Sequence, residues 1–356
     1  MVKYQGFTEK ERLWSIGELE CWSVGYIRNF LFIPLLQYSV TPLLPYWDNQ
    51  GRRSGMGWHM GNTLPRRIYK ADSLLMLTAI IWGGAFVAQR VGMDFVGPLT
   101  FNGVRFALGA LTLLPLALRG NKNRGTGQNV DNNFSSKQAI LGGGLAGLVL
   151  FAGASLQQVG LVYTTAGKAG FITGLYVVIV PILGMLWKQW PGWGALTGAV
   201  LAAVGLYFLS VTEEFNLAPG DAWELAGAFM WATHVLILGW LSPRVDVLKL
   251  ACAQCAVCCC LSLLVAGHTE TITLHGLGEA TIPILYGGVM SVGIAYTLQV
   301  VAQKVAPPTH AAIILSLEAV FAALAGWLIL GEVLTTRGLF GCGLMLAGMV
   351  VSQLWP

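Results

Sequence analysis

The chain has 356 residues, of which 55% are hydrophobic and only 11% charged, with a mean hydropathy of +0.64 and a formal net charge of +4. Soluble domains carry about 25% charged residues, so the composition excludes a soluble globular protein. It points instead to a bilayer protein, in which each spanning segment satisfies its own backbone as helix. No basic block suggests a nucleic-acid partner.

Residues 1–71 differ from everything after them. They mix charged residues (Glu9, Lys10, Glu11, Arg12, Arg52, Arg53) with Trp, Tyr and Pro, and the apolar run 26–47 is interrupted by Pro34, Pro42 and Pro45. Such a run suits an interfacial or disordered extension better than a spanning helix. No short apolar run ends in a small-residue cleavage site, so no cleavable signal peptide is expected. Met56 and Met60 are alternative starts to Met1, placed just before GNTLPRRIYKADSLLML.

From Ala71 onward the pattern predicts ten spans of the length that a ~30 Å hydrocarbon core requires. They cover residues 73–92, 98–118, 138–158, 167–187, 192–211, 220–241, 247–267, 282–303, 308–330 and 336–355. The expected fold class is an all-α integral membrane protein of ten transmembrane helices. Its organisation is an extension (1–71), a first five-helix repeat (72–211) and a second (212–356). Lys and Arg in the connections fix orientation. With the N-terminus inside, the cytoplasmic segments hold Arg66, Arg67, Lys70, Arg119, Lys122, Arg124, Lys137, Lys188, Arg244, Lys249 and Lys304. The far side carries Arg337 with Glu213, Glu214, Glu270 and Glu279. Both termini are therefore expected in the cytoplasm, in a multi-pass plasma-membrane protein.

The second half repeats the first. Trp82 and Trp231 are 149 positions apart, as are Arg105 and Gln254. Later the offset is 142, as in Gln157 with Gln299, Lys168 with His310, and Tyr176 with Glu318. Five helices per repeat is an odd number, so the second copy enters the membrane upside down. Inverted repeats with a site near the midplane are the architecture of secondary transporters.

Glu318 falls near the middle of the apolar stretch 307–334. A carboxylate at that depth costs roughly 3 kcal/mol on insertion scales, and such a residue is read first as functional. Proton coupling or contact with a cationic group competes there with a structural hydrogen bond between helices. Its counterpart Tyr176 and the pair Trp82 and Trp231 also fall at the midplane, with His234 on the face of Trp231. Trp, Tyr, Gln157, Tyr296 and Gln299 would line a cavity for an amphipathic solute, or simply pack between helices. Arg105 is deep enough to need a partner or a water-filled cavity. Lys168 and His310 sit at helix ends, as gate residues or as side chains snorkelling to the interface.

Five of the seven cysteines (Cys252, Cys255, Cys258, Cys259, Cys260) lie in the seventh span, with Cys21 in the extension and Cys342 in the last span. They read as small apolar packing residues. The alternative is a membrane thiol oxidoreductase. No His or carboxylate stands among them to complete a metal site, and no enzyme motif is present, so no catalytic residue, metal or cofactor is expected.

The segments IIWGGAFVAQR (80–90), FNGVRFALGAL (101–111), TTAGKAGFITGLYVVIVPILG (164–184), LSLEAVFAALAGWLILGE (315–332) and GLFGCGLMLAGMVV (338–351) occur in order and in duplicate. Together they resemble the EamA family of the drug/metabolite transporter superfamily, over residues 72–356. The resemblance implies two inverted five-helix repeats and carriage of amino acids or other small metabolites, often outward. Related branches carry nucleotide sugars, sugar phosphates or drugs. Ala319 stands where family members often have proline, which leaves a kink there without its usual cause. The expected function is alternating-access transport of a small solute, with protons as a candidate coupling ion and lipid as the surrounding partner. Oligomeric state is not readable from the chain.

Overall fold

In a computed structural model, the described residues are 63–119, 136–164, 166–186, 188–210, 219–331, 333 and 335–355. Side chains are described for all of these except 63–67, 119, 136–137, 166–168, 210 and 353. The proposed start sites, most of the N-terminal extension and the polar connection after Arg119 lie outside them.

The described chain is helical throughout. Helices α1 (Thr63–Gly92), α2 (Pro98–Arg119) and α3 (Ser136–Tyr163) form the first three spans. The fourth span is α4 (Ala166–Gly174) and α5 (Tyr176–Leu186), and the fifth is α6 (Trp193–Ser210). The second repeat continues with α7 (Pro219–Leu241), α8 (Val247–Thr269) and the short α9 (Leu274–Glu279). Its eighth span is α10 (Thr281–Leu285), a π-helical segment (Tyr286–Ala295) and α11 (Tyr296–Ala302). The ninth is α12 (Pro308–Leu315) with α13 (Glu318–Leu330), and the tenth is α14 (Thr336–Leu354). Among the described residues, eight spans are long and apolar enough to cross a membrane. The fifth and tenth have shorter apolar lengths, Trp193–Leu209 and Thr336–Ser352.

The repeats are antiparallel in space. His310, at the start of the ninth span, bonds Asp72 at the start of the first (2.9 Å). At the other end, Glu270 closes the seventh span and caps the start of the second, accepting from the Leu99 and Thr100 backbone N–H groups at 2.8 Å each. A carboxylate there answers the unpaired amides and positive end of the α2 dipole.

Each span packs chiefly on spans of the other repeat. Following the closest neighbours gives a ring of spans 1, 8, 2, 7, 3, 6, 4 and 9, closing back on 1. Membership of the two repeats alternates at every step. Spans 5 and 10 pair with each other and lean on spans 4 and 9. Glycine permits that pairing: a Cβ on Gly198 would stand 2.6 Å from the Gly348 carbonyl, and one on Gly205 would stand 2.6 Å from that of Gly341. Close backbone approach of this kind is the usual basis of helix association in lipid.

The fourth and ninth spans break at equivalent points, Leu175 and Leu317. Short i→i−3 bonds replace the α ladder there, from Leu175 N to Ile172 O (3.2 Å) and from Leu317 N to Ile314 O (3.2 Å). The ninth span therefore breaks although alanine, not proline, follows Glu318. Its turn is held by Ser316, whose hydroxyl donates to the Ile313 carbonyl (2.8 Å). A Ser hydroxyl bonded back along its own helix is a known cause of bending. Tyr176 and Glu318 each become the first residue of a half-helix.

Candidate functional site

The two half-helices meet. The Tyr176 hydroxyl donates to Glu318 Oε1 at 3.1 Å. These are equivalent residues of the two repeats, and equivalent residues can touch only where the axis relating the repeats passes between them. The bond therefore marks the pseudo-twofold axis.

Around it lies a narrow cavity with walls that include Trp82, Gln89, Arg105, Gln157, Thr173, Tyr176, Trp231, Ser291, Tyr296, Gln299 and Glu318. One wall is aromatic: Tyr296 lies 4.8 Å from Trp82 and 6.3 Å from Trp231, centroid to centroid, and 5.9 Å from Phe106. The two tryptophans are fixed by their indole N–H groups, as buried indoles require. Trp231 donates to Gln157 Oε1 at 2.9 Å, while its counterpart Trp82 donates to the Ser291 carbonyl at 3.2 Å. Ser291 lies in the π-helical segment.

Arg105 supplies the cation. Its guanidinium carbon lies 5.2 Å from the Phe106 ring centre and 5.6 Å from that of Phe101. Nε has no hydrogen-bond partner, and among the described residues no carboxylate pairs with this arginine. Gln89 Oε1 and Gln299 Oε1 are likewise unpartnered. Buried polar groups are normally satisfied, so a cavity edged by three unmet ones is shaped to receive polar groups from elsewhere.

The profile of the EamA-like transporter family matches residues 69–211 and matches again over 218–353. The chain belongs to that family. It is 33% identical over 332 residues to an "uncharacterized transporter" of Archaeoglobus fulgidus, covering 93% of this chain and 96% of the relative. It is 20% identical over 285 residues to the "uncharacterized transporter YoaV" of Bacillus subtilis, covering 78% and 94%. A solved structure described only as "Crystal structure of protein" has the same fold, at a TM-score of 0.63 and 18% identity over 80% of this chain and 96% of that one. This is a multi-pass membrane transporter rather than an enzyme.

Of the residues singled out from this EamA-like transporter's sequence, eight share the cavity: Trp82, Arg105, Gln157, Tyr176, Trp231, Tyr296, Gln299 and Glu318. His234 stands behind the wall, fully buried, bonded through Nε2 to Gln254 Oε1 (3.0 Å) and packed edge-on to Trp231 and Tyr296. His310 lies at the end where α1 begins, tied to Asp72 and 3.5 Å from the Ser352 hydroxyl. Of Lys168 only the place on α4 is described. Asp72, Thr173 and Ser291 escaped the sequence reading. Thr173, three residues before Tyr176, could have been found from helical spacing alone. Ser291 could not, because it is the backbone carbonyl that serves. Glu224 lies in the second turn of α7, near the mouth of the helix, yet it is fully enclosed.

In the seventh span Cys255 and Cys258 are buried, Cys252 and Cys259 half-buried and Cys260 exposed, and all six described cysteines are free thiols. The two buried thiols lack the access that a reactive thiol needs.

Proposed function

We propose that this transporter moves a small amphipathic organic solute, an amino acid or a related metabolite, outward across the plasma membrane, with both termini in the cytoplasm. The solute sits in the cavity at the pseudo-twofold axis. Its anionic group faces Arg105, its apolar body lies along Trp82, Tyr296 and Trp231, and its cationic or hydrogen-bonding end faces Glu318 and Tyr176. The observation that carries this reading is the unpaired Arg105 opening on the same cavity as Glu318. An arginine keeps its charge, and an ion enclosed without a partner is costly enough that a ligand supplying the counter-charge gains by binding there.

Glu318 and Tyr176 supply coupling as well as recognition. The proton on the Glu318 carboxyl and the bond from Tyr176 compete for the same oxygens that a substrate ammonium would use. Exchange of proton for substrate at one site is the simplest form of coupling. Alternating access then exposes the cavity at the Asp72–His310 end and at the opposite end in turn.

The test is metabolite profiling of cells with and without the protein, followed by uptake of the implicated solutes into proteoliposomes. Solutes with a carboxylate should dominate, and Arg105→Gln, which copies the equivalent Gln254, should lose them. Equal transport of neutral and anionic analogues, unaffected by Arg105→Gln, would refute the assignment.

A further inference from the structure

Among the described residues three carboxyls are buried, Asp221, Glu224 and Glu318, and the surroundings of Glu224 are asymmetric between the repeats. It is fully buried. Oε2 accepts from the Thr173 hydroxyl at 3.0 Å, while Oε1 has no partner. The space it occupies exists because residue 160 is glycine: a Cβ there would stand 2.7 Å from Oε1. At the equivalent positions of the other repeat, 149 and 142 residues away, the three residues are Leu75, Leu315 and Ala302, all buried. The same corner of the fold thus packs as hydrocarbon in one half and as acid, hydroxyl and glycine in the other. Packing does not require the acid.

Thr173 also lines the central cavity. A single hydroxyl therefore separates Glu224 from the space where Tyr176 and Glu318 meet. An ionised carboxylate, enclosed with one oxygen unmet, is far costlier than a neutral acid in the same place.

We propose that Glu224 is a proton-binding site distinct from Glu318, filled in the arrangement described and connected to the cavity by the Thr173 hydroxyl. When the carboxylate is ionised, a hydronium in the cavity gives a proton to Thr173 Oγ and remains as water, while the existing Thr173 proton passes to Glu224 Oε2. The reverse transfer empties the site. The ionisable residues on the helices around α7 are few. Asp221, one turn earlier, accepts from Thr164 (3.0 Å). His234 lies further along α7, bonded to Gln254, Tyr163 ends α3 and Lys137 lies in its first turn, Lys168 lies on α4 and Tyr176 begins α5, while His310 on α12 is bonded to Asp72. The inference rests on the transport reading for its purpose, but its test does not require a known substrate.

The experiment is infrared difference spectroscopy on the full-length protein in phosphatidylethanolamine–phosphatidylglycerol liposomes, reading the C=O stretch of neutral carboxylic acids. In a Glu318→Gln background, an acid band is expected at neutral pH. It should disappear when Glu224→Gln is added, shift in frequency with Thr173→Val, and bleach reversibly as the pH is raised. If the glutamine variant fails to fold, Glu224→Leu with Thr173→Leu copies the other repeat and serves instead. A band that is absent from the Glu318→Gln protein, survives loss of Glu224, or never titrates while the protein stays folded would overturn the proposal. Failure to find a transported solute would count against the transport reading and leave this result standing.

Discussion

Replacing Gly198 by alanine tests whether spans 5 and 10 are held by backbone contact. The new Cβ would lie 2.6 Å from the Gly348 carbonyl oxygen and 2.8 Å from Ser352 Cβ, whereas ordinary contacts begin at 3.4 Å. The two helices would have to part by about 0.8 Å to accept it. Overpacking of this kind costs about 1–3 kcal/mol. Against it stands the gain of about 1 kcal/mol from removing a glycine from a helix interior. The net expectation is a loss between about 0 and 2 kcal/mol. Gly343 gives the control. It lies on the opposing helix α14 with nothing within 4 Å of its Cβ position, so alanine there has only the propensity gain. Gly343→Ala should therefore be more stable than the parent, and Gly198→Ala less stable than Gly343→Ala by about 1–3 kcal/mol. Detergent-micelle unfolding with sodium dodecyl sulfate, followed by circular dichroism, measures both. Equal stability of the two variants would show that the glycine seam does not set the distance between these helices.

Further outcomes follow from the site. Glu318→Gln should leave the protein folded and inserted but remove proton coupling, so that proteoliposome uptake loses its pH dependence; an unchanged pH profile would rule out the coupling role. Trp231→Phe keeps a ring in the wall but removes the donor to Gln157. It should cost about 1 kcal/mol of stability, visible as a lower midpoint in the same unfolding assay, and weaken solute binding. Asp72→Asn replaces the charged partner of His310 and should destabilise the closure at that end by about 1 kcal/mol, read as faster thiol labelling of a cysteine introduced at Ser352. Replacing Cys252, Cys255, Cys258, Cys259 and Cys260 together with alanine should leave transport intact; lost transport with normal insertion would give the thiols a role that packing does not explain.

Spans and repeat were legible because both are properties of sequence: hydropathy gives length, and fixed offsets pair Trp82 with Trp231 and Tyr176 with Glu318. The cavity residues were legible for the same reason, since polar side chains at the midplane have few other uses. Contacts between the halves were not. That Tyr176 and Glu318 touch depends on where the axis runs, and that Trp82 bonds a carbonyl depends on a π-helical backbone that no residue type announces. The burial of Glu224 was not legible, because closeness to a helix end says nothing of closeness to water. Gly160 and Thr173, both remote in sequence, close over it. The break before Glu318 was obscured because a proline was expected to cause it, whereas a serine hydroxyl does.

The alternating ring has a consequence for how the chain is made. In the finished protein the main helix neighbours of spans 1 to 4 are spans that have not yet been synthesised when those four enter the bilayer. The indole N–H of Trp82 must wait in lipid, or on the insertion machinery, for its partner Ser291 from the second half, and Arg105 must wait for the second half to complete the cavity around it. Neither half encloses the cavity by itself, so co-expressed halves can restore it only by interleaving, helix between helix, rather than by docking as two finished lobes.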